Sequence, residues 1–208
     1  MPKPRPYLPI PGAIVHAYNR GVDRRKLFHR PRDYEILQER FMEAKEKTNV
    51  SIIVHTLMPN HVHVILQQHE PFAIADFMQR ACFAFARWSN KRANRSGALF
   101  EGPYGGKEIS DPFALLLVTY YILMNPVHAR LVPSVDLWKY SSLKSSLGNC
   151  NGSLNDPSLL LALVGGPDKF AKFLEHFDAS DPDSVDQYLC PDYARIWAEI
   201  VTKKPGKT

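Results

Sequence analysis

Met58-Pro59-Asn60-His61-Val62-His63-Val64-Ile65-Leu66 is the stretch on which the reading of this chain turns. It is entered from the β-prone run Ser51 to Leu57. Side chains alternate faces along a strand, so His61, His63 and Ile65 project from one side and Val62, Val64 and Leu66 from the other. The aliphatic side can enter a core and leave two imidazoles side by side on the opposite surface. Two histidines on a rigid strand can present two nitrogens to one metal ion. Alone, the pair is weak evidence, because two half-exposed histidines on a sheet are the commoner case by about two to one.

The neighbouring segments build a fold around this hairpin. Ala13 to Tyr18 is an apolar, β-prone first strand, followed by the polar, basic turn Asn19 to Lys26. Asp33 to Lys47 has helical spacing, with Tyr34, Leu37, Phe41 and Ala44 on one face and Asp33 as its cap after the stop at Pro31. Ser51 to Leu57 and His61 to Gln67 are two strands joined by a turn at Pro59-Asn60. Phe72 to Arg95 is a long helix with the stripe Ile74, Phe77, Ala81, Phe85 and Trp88. Lys107 to Ser110 is a short strand, and Pro112 to Met124 an apolar helix stopped by Asn125-Pro126. The first six elements follow the split β-α-β order of an α+β, ferredoxin-like fold. That order predicts a mostly antiparallel sheet with helices on one face and the other face open to a ligand.

Three segments are expected: a proline-rich arm over residues 1–12, a main domain over 13–148, and a helical extension with a basic tail over 149–208. The extension begins with the linker Asn149 to Ser153 and continues with short helices at Pro157–Val164, Pro167–Phe177 and Asp192–Val201. At 208 residues, with 45% hydrophobic and 23% charged side chains, the chain can bury a full core without staples. Cys82, Cys150 and Cys190 are odd in number and widely spaced, which indicates neither a zinc cage nor a disulfide framework. The N-terminus lacks the apolar run of a secretory leader, and the longest apolar stretch, Phe113 to Val118, is too short to span a bilayer. A cytoplasmic protein is therefore expected. The net charge of +5 is a modest basic bias, compatible with nucleic acid but not specific to it.

A second motif ends the apolar helix: Tyr120-Tyr121-Ile122-Leu123-Met124-Asn125-Pro126-Val127. Residues four apart share a helix face, so Tyr121 and Asn125 belong together, whereas Tyr120 points about 140° away from Asn125. The amide oxygen of Asn125 can act as a neutral ligand beside His61 and His63. Two imidazoles and an amide make a three-sided cradle suited to magnesium or manganese, the latter better matched to nitrogen. A tyrosine hydroxyl beside such a cation is a candidate nucleophile on phosphorus. Taken singly, a packed tyrosine and a helix C-cap are the commoner roles for Tyr121 and Asn125 by about three to one, and Tyr120 reads as core packing.

The two motifs together resemble the HUH-type single-tyrosine transposases, above all the REP-associated tyrosine transposases, which carry Tyr-x-x-x-Asn-Pro-Val. Asn19-Arg20-Gly21 with Leu27-Phe28, Ser96-Gly97-x-Leu99-Phe100-x-Gly102, and Trp138-x-Tyr140-Ser141-Ser142 also match, so the resemblance covers about Ile14 to Gly148. It implies a transposase that cuts and rejoins single-stranded DNA beside an imperfect hairpin through a covalent 5′-phosphotyrosine. It also implies His61, His63 and Asn125 as ligands of Mg2+ or Mn2+, and Tyr121 as nucleophile. Insertion-sequence members act as homodimers with exchanged tyrosine helices, whereas REP-associated members include monomers. The chain departs from the pattern at Gly102-Pro103-Tyr104-Gly105, where relatives carry Gly-Arg-Phe/Tyr-Lys, and at Tyr120 and His128-Ala129-Arg130. Two expected cations are missing there. A domesticated protein that binds hairpins without cutting is the alternative these departures raise.

Candidate DNA contacts form two groups. Arg80, Arg87, Lys91 and Arg95 recur along one side of the long helix, a spacing equally consistent with a phosphate track and with an ordinary solvated face. Arg20, Arg24 and Arg25 cluster after the first strand, and Lys107 lies close to the missing cations.

Overall fold

A computed structural model describes residues 10–148 and 154–201. Its elements run β1 (Ile14–Arg20), α1 (Pro31–Lys45), β2 (Val50–Met58), β3 (His61–Gln68), α2 (Ala73–Arg92), β4 (Gly105–Ile109) and α3 (Pro112–His128). The short α4 (Leu143–Ser146) follows, then α5 (Ser158–Val164), α6 (Pro167–His176) and α7 (Tyr193–Val201). Most of the arm, the 149–153 linker and the basic tail fall outside the described residues.

The four strands form one antiparallel sheet in the order β2-β3-β1-β4. This is the split β-α-β arrangement: β3 inserts between β2 and β1, and α1 makes the crossover. The α+β class and the ferredoxin-like order are therefore as the sequence predicts. The β2–β3 turn is fastened from outside. The Pro59 carbonyl accepts from Leu27 N at 2.8 Å, and the Asn60 carbonyl accepts from Gly21 N at 2.9 Å. Gly21 is needed there because a Cβ would stand 2.3 Å from the Arg25 carbonyl oxygen.

Alternation divides the sheet between two hydrophobic layers. Val15, Ala17, Val62, Val64 and Leu66 face α1 and α2, where they meet Leu37, Phe41, Phe77, Ala81 and Phe85. Ile14, Val54, Ile65 and Ile109 face the other way, toward Leu115, Ile122 and Leu123 of α3 and Leu160, Leu163, Phe170 and Phe173 of the C-terminal helices. The sheet face expected to lie open is thus covered over its apolar half. The reason is that α3 and the C-terminal helices each carry an apolar stripe that must be buried somewhere.

Two boundaries differ instructively. Helix α1 begins at Pro31, and Asp33 caps it from within, its carboxylate accepting from His29 N at 2.8 Å and Arg30 N at 3.2 Å. The same buried carboxylate meets Arg92 of α2 at 3.2 Å, joining the two helices. Helix α3 does not stop at Asn125-Pro126 but continues to His128. Pro126 lacks an N–H and so leaves the Ile122 carbonyl without its helical donor. Its ring is buried, however, and Ala129 N closes the final turn on the Asn125 carbonyl at 2.9 Å.

His55, 2% exposed on β2, accepts from the Gln38 amide at 3.2 Å and packs edge-on against Phe41. Burial lowers its pKa to about 4. The unfolded chain therefore binds this proton below about pH 6.5 while the folded chain refuses it, so stability is full above that pH and is lost as pH falls toward 4. In urea titrations we expect an acid-induced loss reaching roughly 3 kcal/mol from this group. His55→Gln should flatten the pH dependence by that amount, and an unchanged slope would contradict it.

Candidate functional site: a histidine-lined pocket under α3

Beyond the apolar half of its outer face, the sheet turns polar. In the β1–β3 register Tyr18 lies opposite His63 and Arg20 opposite His61, and on β4 Lys107 lies opposite His16. Pleating therefore gathers His16, Tyr18, Arg20, His61, His63 and Lys107 on one side of the sheet. Tyr18 packs across Gly105, where a Cβ would come within 2.5 Å of the phenol ring. A side chain at position 105 would therefore need Tyr18 to move. Tyr18, Asn19, Arg20, His61, His63 and Tyr121 line a pocket of about 320 Å³.

The three imidazoles form a tight group. His61 and His63 stand edge to face with ring centroids 4.8 Å apart. His16 Nε2 is 2.9 Å from His63 Nδ1. His61 Nδ1 lies 2.7 Å from Asn60 Oδ1, and the Asn60 amide nitrogen donates to the Arg24 carbonyl at 3.2 Å. An amide oxygen can only accept, so the His61 proton sits on Nδ1 and Nε2 keeps its lone pair. Burial holds all three rings below their ordinary pKa. His63 lies well below, through burial and then through His16 and His61; His61 is lowered by burial and by Arg20; His16 is lowered by burial to about 4. The rings are consequently neutral at neutral pH, the state in which imidazole binds metals.

Tyr121 is 48% exposed, and its ring meets His63 edge-on at 5.7 Å. The next residue back points elsewhere: Tyr120 packs on Phe177 at 4.9 Å and on Phe173 at 5.9 Å, the core role its position predicts. Asn125 is half-buried one turn beyond Tyr121, and its amide nitrogen donates to the Tyr121 carbonyl at 2.8 Å. It does not line the pocket in this conformation. Among the described residues no three His, Cys, Asp or Glu side chains are grouped to hold a metal by themselves. A cation at His61 and His63 would need a neutral oxygen or water to complete its shell.

The basic candidates separate by layer. Arg20 stands at the pocket in a two-pronged contact with Glu101, at 2.8 and 3.1 Å, and Lys107 is exposed on the same sheet face. Arg24 and Arg25 lie in the loop behind the hairpin turn, Arg25 bonded to the Val22 carbonyl at 3.1 Å and paired with Asp23 at 3.6 Å. Arg80, Arg87, Lys91 and Arg95 are carried by α2 and the loop after it, across the sheet from the imidazoles. Arg80 is paired with Asp76 at 2.8 Å, Arg87 leans on the exposed Phe83, and Arg95 donates to the Ala98 carbonyl at 2.7 Å. Sequence reasoning missed His16, Tyr18 and Asn60. The period-two alternation of Ile14, His16, Tyr18 and Arg20 was the available signal for the first two, but it needed the β1–β3 register to be used.

The family model described as "Transposase IS200 like" matches residues 11–125. A solved REP-associated tyrosine transposase bound to a REP hairpin superimposes with a TM-score of 0.58 at 20% identity, over 76% of this chain and 96% of that one. A Deinococcus radiodurans R1 chain described as a candidate transposase matches at a TM-score of 0.40 and 18% identity, over 58% of this chain and 95% of that one. No curated protein matches. The structural likeness bears on fold alone, but the family match takes in more than half of the sequence, including the histidine strand and the tyrosine helix as far as Asn125. The chain belongs to the IS200-like transposase family.

Proposed function

We propose that the protein cuts and rejoins single-stranded DNA beside an imperfect hairpin, with Tyr121 as nucleophile and Mg2+ or Mn2+ held by His61, His63 and Asn125. One observation carries the reading. The accessible ring of Tyr121 stands 5.7 Å from that of His63, in the same pocket and the same chain as both imidazoles. The neutral, buried rings fit a divalent cation, and their nitrogens favour manganese within the family's choice. When bound, that cation would withdraw charge from the scissile phosphate.

The chain's own residues account for the remainder. The Tyr121 oxygen forms a bond to phosphorus, the bond to the leaving 3′-oxygen breaks, and the 5′-phosphate stays on tyrosine. The phenolic proton is given up and the 3′-oxygen gains one. Reversal from a different 3′-hydroxyl rejoins the strand. For Asn125 to help hold the cation, its amide would have to leave the bond it now donates to the Tyr121 carbonyl. Arg20 and Lys107 flank the pocket where phosphates beside the cleaved bond would lie. Arg24 and Arg25 extend that side, while Arg80, Arg87, Lys91 and Arg95 offer a second track across the sheet. The hairpin held by the solved REP-associated transposase supports a hairpin-bearing substrate. Proximity of Tyr121 to its own histidines supports a protomer that needs no exchanged helix, whether or not it pairs as a homodimer. Residues 13–148 are taken as the catalytic domain, flanked by the arm over 1–12 and the extension over 149–208, in a cytoplasmic protein. No helix among the described residues is long and apolar enough to cross a membrane.

With Mn2+ and a hairpin-bearing oligonucleotide, the wild-type protein is expected to form a protein–DNA adduct stable in denaturing gels. Tyr121→Phe should abolish the adduct and keep hairpin binding. An adduct persisting in that variant would overturn the nucleophile. His61→Ala should lower adduct formation more than about 100-fold. Full cleavage by that variant would overturn the metal assignment. Hairpin binding by wild type with no adduct after long incubation would favour the non-cutting alternative.

A further inference from the structure

We infer that His16 is a positioning residue for the metal site, accepting the Nδ1 proton of His63 and so keeping the Nε2 lone pair of His63 free for a cation. The inference rests on the reading of His61 and His63 as ligands. A neutral imidazole carries one N–H, so the 2.9 Å contact between His16 Nε2 and His63 Nδ1 admits two arrangements. If His16 donates, the His63 proton must sit on Nε2, and His63 cannot ligate through that atom. If His63 donates, its Nε2 is a free donor to metal and the His16 proton moves to its own Nδ1.

The neighbouring ligand shows which arrangement the site is built for. His61 places Nδ1 2.7 Å from the Asn60 oxygen, which cannot donate, so its proton is fixed on Nδ1. Asn60 cannot turn over freely, because its amide nitrogen is engaged with the Arg24 carbonyl at 3.2 Å. His63 is 7% exposed on the central strand and has no such neighbour in sequence. His16 fills the role from β1. Its Cα pairs with Ile65, so its ring must reach diagonally to position 63, a span that suits a long side chain. The His16 and His63 rings lie 5.1 Å apart at 34°, and Tyr18 covers His16 at 5.5 Å. Outer partners of this kind orient metal-bound histidines and typically change metal affinity 10–100-fold when removed.

The test uses the full chain with His16→Phe, which keeps the ring and removes the acceptor, and His16→Gln, which restores an acceptor oxygen. In metal-free protein, long-range proton–nitrogen NMR should find wild-type His63 protonated on Nδ1. His16→Phe should lose that single tautomer, and His16→Gln should retain it. Titration with Mn2+ alone should show binding weakened about 10–100-fold in His16→Phe and within about threefold of wild type in His16→Gln. His63 protonated on Nε2 in the wild type would overturn the inference, as would His16→Phe with unchanged tautomer and unchanged Mn2+ affinity. If wild type binds no Mn2+ yet His63 shows the expected tautomer and its loss in the variant, the ligand reading fails and the orienting role of His16 stands. If His16→Phe does not fold, the wild-type tautomer and the Gln variant decide the matter.

Discussion

The antiparallel register of β1 on β3 is the constraint from which the site follows. It sets Tyr18 against His63 and Arg20 against His61, while further along the same face Ile65, two residues from His63, and Ile14, four from Tyr18, enter the layer beneath α3. A single sheet face is thus oily at one end and lined by imidazoles at the other. A one-residue slip would send every one of these side chains to the opposite face, histidines into the α1–α2 core and valines into the pocket. The turn at Pro59-Asn60 holds the register from outside, since both of its carbonyls are engaged by the loop that follows β1.

Electrostatically the pocket is quiet until something binds. Burial disfavours a proton on all three imidazoles, on His63 with the help of His16 and His61, and Arg20, which lowers the pKa of His61, is itself held by Glu101. The site therefore offers lone pairs rather than charge, which suits a cation first and a phosphate second. The α2 cations are differently placed. Arg80 and Arg95 are engaged locally, and the layer they belong to is separated from the histidines by the sheet.

Local patterns made the strands, the hairpin and the two central helices legible in the sequence, because each carries its own period. The placing of His61 and His63 on one strand face was legible for the same reason, and that of Tyr121 and Asn125 one turn apart because four residues make a helical turn; that Asn125 spends its amide on the Tyr121 carbonyl, outside the pocket, was not. His16 was not, because its meaning lies in pairing with a strand 47 residues away, and no local pattern encodes that register. The end of α3 was misjudged because proline is a local signal while its tolerance here is tertiary. Pro126 is buried in the last turn, where only one hydrogen bond is forfeited. The covered half of the sheet was missed because short C-terminal helices show their apolar faces without showing what they cover.

Tyr120 and Tyr121 are consecutive on one helix and answer to different masters. About 100° of rotation separates them. The first is seated among Phe173 and Phe177, and the second hangs beside the imidazoles. The aromatic seat therefore acts as a rotational detent for α3, fixing the azimuth at which Tyr121 meets the imidazoles. A change at Phe173 in α6, or at Phe177 just beyond it, would be passed along α3 as a change of aim.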